Sequence, residues 1–277
     1  KFLSKIQNND WDLIIMSHEQ FSSIPQDTET QIEIINDELA MLEEEIINTK
    51  ADGKEASKQA LKGLETRKQN LMKKLGELMD IPKDKEILSF KQIGIDHVMV
   101  DESQQFKNLE YSTRINKIAG LGNKDGSKRA FNMLTTARTL QKMNNGDKGL
   151  TFSSGTPISN SLVEMYLLFK YLRPNKMIEL GYKTFDAWVS QFAEATTEIE
   201  FSVGDIKQNQ RYRRFINLPE LSMMYNEIAD VRNDSNLKLP KPKPKITGYR
   251  NDKGELVREP ELIAVKQSDY QLEWTKR

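Results

Sequence analysis

Asp101 and Glu102 are adjacent carboxylates set directly after an apolar run, in the stretch HVMVDESQQFKNL that spans residues 97–109. An apolar strand ending in Asp-Glu delivers both acids to the C-terminal edge of a parallel sheet, where α/β folds bind their ligands. Two acids there suit metal-assisted phosphoryl transfer. Asp101 would hold Mg2+, usually through water, and Glu102 would orient and deprotonate the attacking water. The same pair also suits a plainer task, because Asp-Glu after a strand commonly opens a helix, where carboxylates cap free N–H groups and offset the helix dipole. These residues alone leave both readings open.

Other candidates are fewer. The segment RYRRF interleaves Arg211, Arg213 and Arg214 with aromatic residues, a pattern that can grip phosphates and stack on bases, or can form the charged face of a hairpin. His18 follows an apolar run and reads equally as a strand-exit polar residue or as a group near a ligand, while His97 at a strand entrance reads as structural. The absence of cysteine excludes a disulfide framework and any thiolate metal site, and with only these two histidines as imidazole ligands a structural zinc site is not expected. The Gly- and Lys-containing GNKDGSK, residues 122–128, lacks the G-x-x-x-x-G-K-S/T spacing of a phosphate loop and follows no apolar strand. No other stretch has that spacing either.

The elements that must position these residues follow from periodicity. Residues 11–16, WDLIIM, read as a short buried strand with a polar exit at Ser17 and His18, closed by Pro25. Residues 95–100 and 148–152 read as two further strands, the last running into the tight turn SSGTP. Residues 111–128 read as a mobile loop, and residues 129–143 as a helix with Ala130, Leu134, Ala137 and Leu140 on one face. A helix then opens at Asn160 or Ser161 and stops at Pro174. Later stretches predict a helix at 184–195, two strands around Gly204, a helix from Pro219, an extended Pro/Lys segment and a final strand–helix start. Alternating strands and helices indicate an α/β fold with a parallel sheet.

Residues 28–80 differ in kind. Ile32, Ile35, Leu39, Leu42 and Ile46 form a seam at spacings of three and four, and Leu61, Leu64, Leu71, Leu75 and Leu78 form a second one beyond a break at Gly53. Outside its seam the first helix is acidic, with Glu29, Glu33, Asp37, Glu38, Glu43, Glu44 and Glu45, and the second is mainly basic. An antiparallel helical hairpin with charges paired across the seam is expected, either as a structural arm or as a docking arm for a protein partner or DNA.

The 277 residues are 37% hydrophobic and 30% charged, with net charge 0. No apolar run reaches the roughly 20 residues that span a bilayer, and the first residues do not read as a signal peptide. A cytoplasmic location, with no membrane partner, is the expectation. Neutral net charge means that nucleic-acid binding must rest on local features rather than on bulk charge.

Taken in order, the motifs resemble a known family. VDESQQFKN is similar to motif II of the Swi2/Snf2-like branch of superfamily 2 helicases and DNA translocases, and FSSGTPISNSLVEMYLLFKYLRP to their motif III region. WDLIIMSHEQF resembles motif Ib, DVRNDSNLKLPKPKPKI the linker between the two motor lobes, and AVKQSDYQLEW the entry of the second lobe. In detail the wording is closest to large bacterial and mobile-element proteins that join an N6-adenine methylase-like region to such a motor, although no tetrapeptide for holding a flipped adenine is present.

The resemblance implies a partial RecA-like lobe at residues 1–27 and 81–175, an inserted helical hairpin at 28–80, a mixed α+β extension and linker at 176–260, and the start of a second lobe at 261–277. It implies Asp101 and Glu102 as the Mg2+ and water-activating acids. Gln104 stands where many relatives have His and would bridge the nucleotide site to motif III, formed by Ser154, Gly155 and Thr156. Ser17 and His18 would lie near the DNA backbone. ATP and Mg2+ are the implied cofactors of the complete protein, and duplex DNA its implied partner. Lacking a phosphate loop, these residues are expected to be a piece of a longer motor that binds nucleotide poorly by itself. A non-catalytic DNA- or protein-binding module working through the hairpin is the competing expectation.

Overall fold

The computed structural model describes residues 2–51, 55–80, 88–115, 118–119, 126–158, 161–202, 205–232, 246–250, 256–260 and 268. In chain order the first unit carries α1 (Phe2–Gln7), α2 (His18–Ser22), α3 (Thr28–Ala51), α4 (Glu55–Met79), β1 (Val98–Val100), β2 (Ile118–Ala119), α5 (Lys128–Met143) and β3 (Leu150–Phe152). It continues with α6 (Val163–Leu172), α7 (Pro174–Glu179), α8 (Phe185–Phe192), β4 (Ala193–Ser202), β5 (Asp205–Phe215) and α9 (Leu218–Asn226). The fold class is α/β, as the alternation of elements predicts, and it is consistent with part of a RecA-like lobe. A second compact unit, Ala229–Arg277, contains β6 (Ile246–Arg250) and β7 (Leu256–Pro260), paired antiparallel. Among the described residues no helix is long and apolar enough to cross a membrane.

The sheet that matters for chemistry is small. β1 and β3 pair in parallel, with Val98 opposite Leu150 and Val100 opposite Phe152. The connection between them runs through α5, whose Ala130, Leu134, Ala137 and Leu140 are all buried, as their shared face predicts. Gly149 sets the entry to β3. Its φ of +96° favours glycine, and a Cβ there would come within 2.8 Å of the Asn144 amide and 2.9 Å of Leu140. Its carbonyl accepts the Val98 N–H at 2.9 Å, which starts the ladder. Behind the sheet, Tyr171 of α6 places its hydroxyl 3.0 Å from the carbonyls of both Phe106 and Ala130, tying α6 to α5 and to the turn after β1.

Several expectations are corrected. Residues 11–16 are not a buried strand. They run extended without a strand partner among the described residues, and Leu13 and Ile15 stay 72% and 86% exposed while Ile14 and Met16 pack on the core. A continuous apolar run signals burial only when both faces are covered, and here one face is open. The stretch read as a loop contains β2, which pairs in parallel with β5. Helix α6 opens at Val163 behind Leu162 rather than at Ser161, and Asn160 lies outside the described residues. Gly204, residues 233–245 of the expected linker and residues 261–267 and 269–277 of the expected second lobe also lie outside them.

The hairpin is present, with Ile35, Leu42, Leu64 and Leu71 buried along its seam. Cross-helix ion pairs include Lys68 with Glu43 at 2.7 Å and Lys50 with Glu65 at 3.5 Å. Its charges are not all outside the seam, however. Glu38 and Glu45 are buried, and so is most of Arg67. Glu38 accepts from Lys170 of α6 and faces Arg67 of α4 at 3.6 Å, while Arg67 also meets Glu110 at 3.5 Å. Burial pushes the Glu38 carboxyl up, but the Lys170 ammonium and the Arg67 guanidinium outweigh it and hold it below its ordinary value.

Glu45 lacks such support. Neither carboxylate oxygen finds a hydrogen-bond partner among the described residues, and burial, with help from Asp186, raises its pKa from 4.5 to about 7. The folded chain therefore keeps a proton that the unfolded chain releases. Stability from this group is complete below pH 4.5, falls as pH rises, and is lost once pH passes about 7. Replacing Glu45 with Gln, which cannot ionise, is expected to stabilise the fold at pH 8 by up to about 3 kcal/mol. The same change should have little effect at pH 4. Urea midpoints at both pH values check this, and equal effects at both would refute the assignment.

Candidate functional site

The ladder between β1 and β3 continues past both strands. The Ser153 N–H donates to the Val100 carbonyl at 2.8 Å, and the Ser103 N–H donates to the Ser153 carbonyl at 3.0 Å. These bonds hold the exits of the two strands side by side, so the turn carrying Asp101 and Glu102 lies against the turn carrying Ser154, Gly155 and Thr156. Asp101 and Glu102 are exposed at this C-terminal edge. Beyond them the chain makes a 3-10 turn at Ser103–Phe106, anchored by the buried Phe106 ring.

Glu102 does not open an α-helix. Its backbone is left-handed, with φ 51° and ψ 47°. Among the described residues only two other non-glycines have positive φ, Asn145 and Asn217, and asparagine tolerates that region. Glutamate has no such excuse, so its side chain is retained in a conformation that glycine would fill with less strain.

That side chain is tied into a directed chain of hydrogen bonds. The Gln104 amide N–H donates to the Glu102 carboxylate. The Gln104 amide oxygen accepts from the Ser154 hydroxyl at 2.6 Å, and the Ser154 hydroxyl oxygen accepts from the Thr156 N–H at 3.0 Å. One glutamine thus joins an acid at the exit of β1 to a backbone amide at the exit of β3. It does so as donor and acceptor at once, with no titration in the way. Gly155 beside them faces open space, so a Cβ there would meet nothing.

His18 is brought to the same place. Its Nε2 lies 3.0 Å from the Asp101 carbonyl, and its ring packs 5.3 Å from that of Phe106. A carbonyl only accepts, so Nε2 carries the proton in this arrangement. Ser17 is occupied locally: it caps α2 by accepting from the Gln20 N–H at 3.2 Å, and the Gln20 side chain accepts from the Ser17 N–H at 2.9 Å. His97 bonds the Thr151 hydroxyl of β3 at 2.9 Å, which matches its structural reading.

The arginines belong elsewhere. Arg211, Arg213 and Arg214 lie on β5, in the sheet of β2, β5 and β4. Arg214 is exposed and stands opposite Glu194 in the register. Of the Arg211 and Arg213 side chains nothing is described.

Two contacts were not foreseen. Lys107 pairs with Glu164 of α6 at 3.3 Å, and Arg129 of α5 donates to Gln105 at 3.3 Å. Both fasten the turn after Glu102 to the helices around it. The Lys and Gln types after the two acids were the visible signal, but their partners lie far along the chain.

The donor set fits a hard divalent cation. Mg2+ keeps several waters and takes one or two carboxylates together with phosphate oxygens, rather than an all-protein cage. Asp101 offers such an exposed carboxylate, and no cluster of three or more metal-ligating side chains occurs among the described residues.

Residues 1–233 match the model of a family described as a probable helicase domain. The chain belongs to that family. The match spans α1 to α9 and so includes every side chain of the cluster just described. A search of curated proteins and a search of solved structures each returned no match. In this helicase domain the exits of β1 and β3 bring together three sequence-expected residues, Glu102, Gln104 and Ser154, through side-chain hydrogen bonds, with Thr156 joined through its backbone N–H.

Proposed function

We propose that this helicase domain is part of an ATP-driven DNA translocase of the Swi2/Snf2-like branch of superfamily 2. The observation that carries the reading is the bonded path from Glu102 through Gln104 to Ser154 and Thr156. A motor needs such a path, because the state of one site must bias the geometry of another. Bound Mg·ATP would supply the transferable phosphoryl group and the charge neutralisation for its transfer.

In this reading Asp101 holds the cation, through water. Glu102 orients the attacking water and takes its proton, and the left-handed backbone aims its carboxylate for that task. Gln104 keeps the Glu102 carboxylate in place and reports its position to the motif III turn. His18 fixes the Asp101 backbone from the motif Ib-like side. The phosphate cradle has no counterpart in this sequence, so in this reading it is contributed by polypeptide outside these residues. Duplex DNA is the proposed track.

ATP turnover with and without duplex DNA, measured on protein that carries the cradle, tests the reading. Turnover should rise at least about tenfold with DNA, and replacing Gln104 with Leu should remove most of that rise, an effect of about 10–100-fold. Hydrolysis that ignores both DNA and Gln104 would overturn it.

A further inference from the structure

We propose that the outward face of α4 binds the sugar–phosphate backbone of duplex DNA. Helix α4 sorts its cations in two. On the inner side Arg67 pairs with Glu38 and Glu110, Lys68 pairs with Glu43, and the Lys74 ammonium lies 3.2 Å from the centre of the Phe131 ring. On the outer side Lys58, Lys62 and Lys73 are exposed. Neither Lys58 nor Lys62 makes an ion pair among the described residues, and Lys73 only approaches the exposed Glu77, at 4.0 Å.

At 100° per residue, Thr66, Gln69, Asn70 and Gly76 share the face of those three lysines, and all are exposed. Two acids accompany them: Glu77 lies on the same face near Lys73, and Glu65 at its edge pairs with Lys50 at 3.5 Å. The result is a stripe of cations, hydroxyl and amides about 22 Å long at 1.5 Å per residue. Gly76 on this face and Gly63 at its flank sit inside the helix, where glycine is about 1 kcal/mol less favourable than alanine. A Cβ on either would meet nothing within 4 Å, so internal packing does not call for them. Absent side chains do permit the backbone of another molecule to come close.

The chemistry of the face selects the partner. A membrane-binding helix needs an apolar face beside its basic one, and the core of a protein interface is rich in aromatic and apolar groups. Among the described residues, only Met72 and Met79 beside this stripe are exposed apolar groups on α4, too few for an apolar face and neither of them aromatic. The stripe matches what phosphate backbones take: lysines for charge, with hydroxyl and amide groups for phosphate oxygens. Exposed Asp37, Glu43 and Glu44 on α3 repel phosphate and confine the duplex to the α4 side. The choice of DNA as the polyanion rests on the translocase reading; the choice of face does not.

The test is binding of this chain to a short labelled duplex, by fluorescence anisotropy across a salt series. Changing Lys58, Lys62 and Lys73 together to Gln should weaken binding at least about tenfold at low salt and reduce the salt slope by about 3. Changing the same residues to Arg should leave affinity and slope near their original values. Circular dichroism establishes that both variants remain helical. An unchanged affinity and slope in the glutamine variant would overturn the assignment of the face, with the translocase reading intact. Absence of binding by the unsubstituted chain would also overturn the assignment of the face, while the translocase reading falls only to the turnover measurement.

Discussion

Replacing Glu38 with Gln is expected to destabilise the helicase domain by about 3–5 kcal/mol, a range typical of breaking one side of a buried ion pair. The side chain is nearly the same size, so packing survives and only the charge is removed. The glutamine oxygen can still accept from Lys170, but among the described residues that ammonium is left with neutral partners, this amide and the Glu110 carbonyl at 3.4 Å, while Arg67 keeps Glu110 and the Tyr111 carbonyl. Two cations that are only 13% exposed lose their shared counter-charge. At about 2–4 °C per kcal/mol for a chain of this size, the midpoint of thermal unfolding should fall by about 6–20 °C. Adding Lys170→Met to the same chain should recover part of the loss, and the double-mutant cycle measures that coupling. A loss below about 1 kcal/mol in the single variant would show that the network contributes little.

The position of this network matters for more than stability. Glu38 is on the first hairpin helix, Arg67 on the second, Glu110 and Tyr111 lie just after the turn that follows Glu102, and Lys170 lies on the helix that follows the Ser154 turn. The hairpin is therefore bonded to the chain leaving each half of the candidate site. Any displacement of one half relative to the other changes the geometry of the same buried charges.

What could be read from sequence divides along physical lines. Short-range patterns were legible: Ala130, Leu134, Ala137 and Leu140 repeat at helical spacing, and all four are buried. Val98–Val100 and Leu150–Phe152 announced themselves as apolar runs ahead of polar turns, and they pair. Long-range electrostatics were not. Spacing does set Glu38 apart from the exposed Glu43 and Glu44, since it lies three residues after Ile35 and four before Leu42, but its partner Lys170 is 132 positions away and nothing local points to it. The charge pattern of a helix gives its average surface character, whereas burial of one carboxylate depends on which cations the fold brings to it. Residues 11–16 failed for a related reason. Apolar content predicts a strand, but a strand also needs a hydrogen-bonding neighbour, and composition does not supply one. Within the site, the residue types at Glu102, Gln104 and Ser154 were visible. The direction of the hydrogen bonds between them and the left-handed turn at Glu102 were not, because both depend on two strand exits being held side by side.

That turn separates stability from activity in one residue. Changing Glu102 to Gly removes the side chain and relieves a left-handed conformation that costs an L-residue about 1–2 kcal/mol. The greater freedom of glycine in the unfolded chain offsets roughly 0.5–1 kcal/mol of this. The variant should therefore be between equally stable and about 1.5 kcal/mol more stable, measured by urea unfolding of this chain. Changing Glu102 to Gln keeps the strain and the shape but removes the carboxylate proposed as the base. On the proposed translocase reading, both variants, made in protein that carries the phosphate cradle, should lose at least about 100-fold in DNA-stimulated ATP turnover, the scale of a missing general base. A glycine variant less stable by more than about 1 kcal/mol would show that the side chain, through its bond to Gln104, serves the fold rather than the chemistry. A glutamine variant with unimpaired turnover would remove Glu102 from the chemistry altogether, whatever the glycine variant did. The outcome that fits the left-handed backbone is the opposite in both: a fold that tolerates or gains from losing the carboxylate, and a motor that stops without it.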